Sequence, residues 1–324
     1  VEGNQLLNLH QSGFRRKHGT HLALHHMIDC WATAISQRKC VAVLAIDLSK
    51  AFDCLSHDAI FSSLERLGIK DRGILHSYLS NRKQYVCCNG IESDLESLLN
   101  GVPQGSILGP LLFILALCDI EDLITAFLHL FADDITTWSI GNNWNEMRCE
   151  LEETARKLYT YLAFKGLCIN FGKCHLMVLG KQYLDTAQPA QIGIFHQDVV
   201  EEPELKLLGL VIDNKLSFET YVLQLAAKCN NNIKFLWRTA KDRSDHHRHL
   251  LANALVVSHL NYCDTVYHRF LSEKLSGILN SVQYRVLRFI CGVRSGQRVS
   301  TRTLCDQVGW IPLHNHRECK LLTL

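Results

Sequence analysis

Proline and methionine are scarce in this chain, five and three among 324 residues, and no segment is dominated by serine and glycine. That excludes a long disordered linker or a low-complexity scaffold. Long apolar runs are missing as well. The longest, "ILGPLLFILALC" at 107–118, is too short to cross a bilayer, so no membrane association is expected. Cysteine is not scarce. Fourteen are present, but in a chain of this length with no signal peptide ahead of them they read as reduced thiols, not as a disulfide framework. An intracellular protein is expected, with nucleus and cytoplasm both open. The chain starts at Val1 and its first residues already read as helix, which suggests a fragment or a processed product.

What remains is ordinary globular material, 47% hydrophobic and 20% charged, enough for one large domain or two medium ones. The net charge of +2 hides an uneven distribution. Between Lys228 and Arg302 there are 13 Lys/Arg against 4 Asp/Glu, whereas the rest carries 21 against 28. A basic C-terminal third beside an acidic body suits a polyanion held by one part and worked on by another. A solvated helical surface would give the same count.

Periodicity divides the chain in the same way. A helix is predicted over Thr20–Ser36, a buried strand over "CVAVLAIDL" (40–48), and helices over "SHDAIFSSLERLGI" and "RGILHSYLS". "KQYVCCNGIESDLES" reads as a hairpin turning at Asn89-Gly90. A Gly/Pro-punctuated loop feeds a buried helix at 107–118, and a strand pair follows at 128–138. The segment from Asn142 to Gly166 is an amphipathic helix with Met147, Leu151, Leu158 and Leu162 on one face. "KCHLMVLG" is a strand, and "ELKLLGLVIDNKLSF" a hairpin placed with its turn at Asp213-Asn214. From Tyr221 the pattern is helical, so an α+β portion to about 220 precedes a helical portion, 221–324.

Two adjacent acids interrupt the strand pair in "LHLFADDITTW". A hairpin tip accommodates one aspartate, but two carboxylates with no basic residue nearby call for a cation. Asp47 ends the buried strand, where by itself it fits a turn acid. Together Asp47, Asp133 and Asp134 form a hard-oxygen set suited to Mg²⁺, and a pair of such ions suits in-line displacement at phosphorus.

"AIDLSKAFDCLSHDAI", "GVPQGSILGPLLF", "LFADDITTW", "KGLCINFGKC" and "LKLLGLVIDNKLSFETYV" occur in that order, preceded by "QSGFRRKHGT". This ordered set resembles the successive motifs of reverse transcriptases from non-LTR (LINE-type, jockey-like) retrotransposons, over nearly the whole chain. The resemblance implies an α+β right-hand polymerase: partial fingers and a palm with an antiparallel sheet in 1–220, then an α-helical thumb with C-terminal helices in 221–324. It implies an RNA-directed DNA polymerase taking an RNA template, a DNA primer, dNTPs and two Mg²⁺ ions, with Mn²⁺ as a substitute. No protein partner is indicated.

Carried onto this sequence, Asp47, Asp133 and Asp134 are the catalytic metal-binding acids, and the Leu48 carbonyl joins them at a metal. Phe52 stands where a ring excludes a ribose 2′-hydroxyl. Gln104 and Gly105 pack against nucleotide and template, and Lys173 assists the leaving pyrophosphate. Arg15, Arg16 and Lys17 lie where fingers residues meet triphosphate or template. Arg82, Lys228, Arg285 and Arg288 face nucleic acid. The chain also departs from the family pattern. An upstream Pro-Ile-Ser-type fingers segment is missing, Cys174 follows Lys173 where threonine is usual, and Thr20 follows Gly19 where Ser-Thr is commoner. The segment before "FADD" is short. Cys305, His314, His316 and Cys319 have poor spacing for zinc. These departures leave a different-class alternative, a catalytically inactive retrotransposon relic that still binds nucleic acid.

Overall fold

The valine-rich run Cys40–Ile46 is buried on both faces and forms an inner strand of a four-stranded antiparallel sheet. A computed structural model describes residues 7–8, 10–70, 72–124, 126–185, 190–195, 197–294 and 296–322. In the sheet, Cys40–Ile46 lies between His175–Leu179 and Asp134–Gly141, with Phe127–Phe131 outermost. Val43 sits opposite Met177 on one side and Trp138 on the other. The short segment before the Asp pair does not disturb the sheet, because Phe127–Phe131 keeps its full ladder with Asp134–Trp138.

Helices cover this sheet. Trp144–Phe164 is capped by the Asn143 side chain, which accepts from the Asn145 and Glu146 amides, and it stops before Gly166 at φ 78°. It buries Met147, Leu151, Leu158 and Leu162, the residues on the predicted stripe. Leu108–Ala116 is buried almost all round, as an uninterrupted apolar run requires. A buried polar knot ties these elements together. The Lys165 ammonium lies 3.0 Å from Asp119 and donates to the Ser63 hydroxyl at 3.0 Å, while Tyr161 and Arg66 also reach Asp119. With several donors on one carboxylate, the desolvation of Lys165 is offset.

The chain divides into two compact units: residues up to 23 with 29–203, and residues 24–28 with 204 onward. The hairpin Glu204–Leu207/Leu210–Asp213 packs on helix Glu219–Thr239 in the second unit. Its turn is Leu208-Gly209, both at positive φ, and not Asp213-Asn214 as the sequence suggested. Asp213 instead accepts from the amides of Lys215, Ser217 and Phe218 and so organises the entry to that helix. The strands Gln191–Ile194 and Gln197–Val200 were not anticipated. Ser56 holds the N-cap position of His57–Arg66, but its hydroxyl makes no cap bond. No helix among the described residues is long and apolar enough to cross a membrane, and all 14 cysteines are free thiols.

Leu44 is fully buried at the centre of the inner strand. Leu44→Ala is expected to cost about 3 kcal/mol of the stability of this unit through lost burial and the cavity left behind. The midpoint of urea unfolding checks this. An unchanged midpoint would contradict the strand assignment.

Candidate active site

Strand register brings the acids to one end of the sheet. Ile46, the last residue of its strand, pairs with Ile135, so Asp47 leaves the sheet beside the tip that carries Asp133 and Asp134. That tip is a two-residue turn, Ala132-Asp133, between paired Phe131 and Asp134. A second ladder, Leu48-Ser49 with Cys168-Ile169, holds Asp47 from the other side, and the Asp47 carbonyl accepts from the Asn170 amide at 2.9 Å. Leu48 is buried in that ladder. The short turn Phe171–Lys173 then brings the Lys173 ammonium to 3.6 Å from the Asp47 carboxylate.

Among the described residues, neither Asp133 nor Asp134 has an ion-pair or hydrogen-bond partner on its side chain. The Asp134 carboxyl is held above the ordinary carboxylate range, first by partial desolvation and then by the negative charges of Asp133 and Asp47. Residue 134 as a whole is nonetheless exposed, so the repulsion is the part a bound cation can relieve. The donor set is carboxylate oxygen throughout, which fits a hard divalent cation. No three of the described His, Cys, Asp or Glu side chains already converge on one point. Cys174, next to Lys173, is buried, and its thiol is pushed up to about 11, mainly by desolvation. It contributes packing. Cys305, His314, His316 and Cys319 form no such group either.

Phe52 stacks on Phe113 (centroids 4.4 Å apart) and meets the edge of Phe14 at 6.0 Å. Its helical turn, Ala51–Cys54, is strapped to the "GVPQG" loop: the Val102 amide donates to the Phe52 carbonyl at 2.8 Å, and the Gly101 amide to the Leu55 carbonyl at 2.7 Å. A Cβ on Gly101 would lie 2.5 Å from the Asp53 carbonyl oxygen, so only glycine permits the strap. Gln104 is exposed, and its amide donates to the Asp53 carboxylate at 2.7 Å. Gly105 follows at φ 79°. Sequence reasoning passed over Asp53, which lines a cavity of about 610 Å³ with Gln104, Lys50, His57 and Arg82. Arg82 is exposed there, its guanidinium 6.0 Å from the Tyr78 ring.

The remaining basic residues separate into two kinds. Arg15 turns back on its own loop, donating to the carbonyls of Asn8 and Gln11, whereas Lys17 and Arg16 are exposed. In the second unit, Lys228 and Arg285 are exposed, with Arg285 bonded to Asn230. Arg288 directs its guanidinium to Tyr284 and to the carbonyls of Val293, Arg294 and Gln297. It therefore closes the end of its own helix. Lys234, Lys241, Arg285 and Arg294 surround Trp237 in a basic cavity of about 960 Å³ within this unit.

Residues 2–212 match the family model described as "Reverse transcriptase (RNA-dependent DNA polymerase)". The chain belongs to the reverse transcriptase family. Similar proteins include the "Probable RNA-directed DNA polymerase from transposon BS" of Drosophila melanogaster, 28% identical over 72% of this chain and 26% of that protein. Another is the "RNA-directed DNA polymerase from mobile element jockey" of Drosophila funebris, 25% identical over 87% of this chain and 32% of that protein. The chain thus spans about a quarter to a third of the length of these relatives. A telomerase structure from Candida tropicalis, in complex with a fragment of telomeric RNA, aligns with TM-score 0.44 and 13% identity, covering 91% of this chain and 50% of that one.

The resemblance to non-LTR retrotransposon reverse transcriptases therefore holds. Reverse transcriptases generally use divalent metal ions, and the donor chemistry at the reverse transcriptase's sheet end agrees with that.

A raised Asp134 pKa means that the folded chain holds this proton more tightly than the unfolded chain does. The repulsion is absent below the ordinary carboxyl pKa and grows as pH rises through the raised one. Asp134→Asn is accordingly expected to melt at a higher temperature than the parent near about pH 7.5 without divalent ions, the gap closing toward about pH 3. Equal melting temperatures throughout would contradict the crowding of charge.

Proposed function

We propose that this domain is an RNA-directed DNA polymerase of a non-LTR retrotransposon, extending a DNA primer on an RNA template with dNTPs. The observation that carries the reading is the set of three carboxylates, Asp47 at a strand end and Asp133 and Asp134 at the adjoining hairpin tip, short of positive charge except for Lys173. Asp47 and Asp133 would hold two Mg²⁺ ions, or Mn²⁺ in their place, with Asp134 and the Leu48 carbonyl in support. Such ions would supply a lowered pKa for the primer 3′-hydroxyl and charge neutralisation for the leaving pyrophosphate.

The chain's own groups do the rest. Lys173 is exposed and 3.6 Å from Asp47, free to swing toward a pyrophosphate and to donate a proton or screen its charge. Phe52 is backed by the stacked ring of Phe113, so its ring is placed to close the space a 2′-hydroxyl would need. Gln104 and Gly105 lie on the strap behind Phe52 and meet the nucleotide and the template. Arg16 and Lys17 supply positive charge to triphosphate or template, and Arg15 shapes the loop that carries them. The helical unit serves as thumb. Lys228, Arg285 and the basic cavity around Trp237 grip duplex phosphates without reading sequence, and Arg82 contacts nucleic acid from the first unit. The inactive relic predicts salt-sensitive template–primer binding with no extension in either parent or Asp133→Asn, and no observation at the acids favours it.

Primer extension on an RNA template with Mg²⁺ tests this reading. Asp133→Asn is expected to lower the rate at least about a hundredfold while leaving salt-sensitive template–primer binding intact. Equal rates in parent and variant, or extension in neither, would overturn it. Phe52→Val is expected to raise ribonucleotide incorporation relative to deoxyribonucleotide by about tenfold or more. An unchanged ratio would assign Phe52 to packing alone.

A further inference from the structure

One buried polar side chain reads both backbone groups of the turn that carries the Asp pair. Gln11 is 2% exposed. Its Oε1 accepts from the Ala132 amide at 3.0 Å and from the Gly13 amide at 2.7 Å, and its Nε2 donates to the Ala132 carbonyl at 3.4 Å. Main-chain bonds flank this clamp, with the Ser12 amide donating to the Leu130 carbonyl at 2.8 Å and the Leu130 amide to the His10 carbonyl at 2.9 Å. Ala132 sits at φ 58°, a left-handed conformation unfavourable for alanine that persists only when its surroundings hold it. Gly13 lies so close that a Cβ there would come within 2.2 Å of the Ala132 nitrogen. The same loop presents Phe14 to the edge of Phe52 and is closed by Arg15 on the Asn8 and Gln11 carbonyls. It therefore touches both sides of the site, the acidic tip and the ring under the sugar.

We propose that Gln11 is a positioning residue: its amide fixes the Ala132-Asp133 turn and so sets where the Asp133 and Asp134 carboxylates present themselves to a divalent ion. The acids' own affinity for the ion depends on this, because a left-handed turn without its clamp samples other conformers and spreads the carboxylates over them. The proposal rests on the polymerase reading of those acids. Glutamine suits the task because it offers an acceptor and a donor to the two adjacent backbone groups of one residue. Glutamate keeps the acceptor and places negative charge against the Ala132 carbonyl, and methionine fills the same volume with neither group.

Two measurements on the full chain separate the possibilities: hydrogen exchange across residues 130–134, and Mn²⁺ binding followed by loss of the free-ion paramagnetic signal. In Gln11→Met, faster exchange at the tip is expected together with about tenfold weaker Mn²⁺ binding, while the melting temperature stays within a few degrees of the parent. Gln11→Glu is expected to fall between parent and Gln11→Met, an ordering that a side chain filling space would not give. Unchanged exchange in Gln11→Met would overturn the clamp whether or not the chain polymerises. Faster exchange with unchanged Mn²⁺ affinity would overturn the positioning role. If parent and Asp133→Asn bind Mn²⁺ alike, the polymerase reading falls and the proposal falls with it, even where exchange reports an intact clamp.

Discussion

The site depends on one pairing, the antiparallel register of Cys40–Ile46 with Asp134–Gly141. Ile46 faces Ile135, so the residues just beyond each strand emerge at the same end of the sheet. Because side chains alternate along a strand, a slip of one residue would send every buried side chain to the opposite face. Here the register is pinned by residues buried on both sides, Val43 between Met177 and Trp138. The hydrophobic core thus fixes the geometry of a polar site it does not contain.

Against that packing stands an electrostatic cost. Three carboxylates occupy the sheet end with one exposed lysine near them, and one of the three is raised in pKa by the other two after desolvation. A sequence selected only for stability would replace an aspartate there. Retaining all three makes sense for a centre that is relaxed by a divalent ion and by substrate. The surrounding backbone is correspondingly over-determined, with the strap under Phe52, the Leu48-Ser49 ladder and the Gln11 clamp each fixing a different flank.

Much of this was legible in the sequence, for identifiable reasons. Thr20–Ser36 and the stripe on Trp144–Phe164 follow helical periodicity, and Asn89-Gly90 turns its hairpin with both residues at positive φ. The Asp pair stood out because charge interrupted a buried pattern. Other features depend on contacts distant in sequence. Asp213 read as a turn residue because aspartate favours turns, yet it serves the start of the next helix, and Leu208-Gly209 makes the turn. Arg288 read as a phosphate contact from its helical flank, whereas its donors meet carbonyls at the end of its own helix. Gln11 was visible only as part of "QSGFR", because its partner lies 121 residues away. No local signal marked it, because the burial of Gln11 and the approach of Gly13 to Ala132 arise only in the fold.

The central claim is that Asp47, Asp133 and Asp134 converge on divalent ions that engage an incoming nucleotide. The most direct measurement is the anomalous scattering of Mn²⁺ in a crystal of the chain with template–primer and a non-hydrolysable dNTP. The account predicts manganese peaks between the Asp47 and Asp133 carboxylates and the nucleotide phosphates, with the Phe52 ring beneath the sugar. A nucleotide bound with manganese elsewhere, or carboxylates turned away from its phosphates, would contradict it.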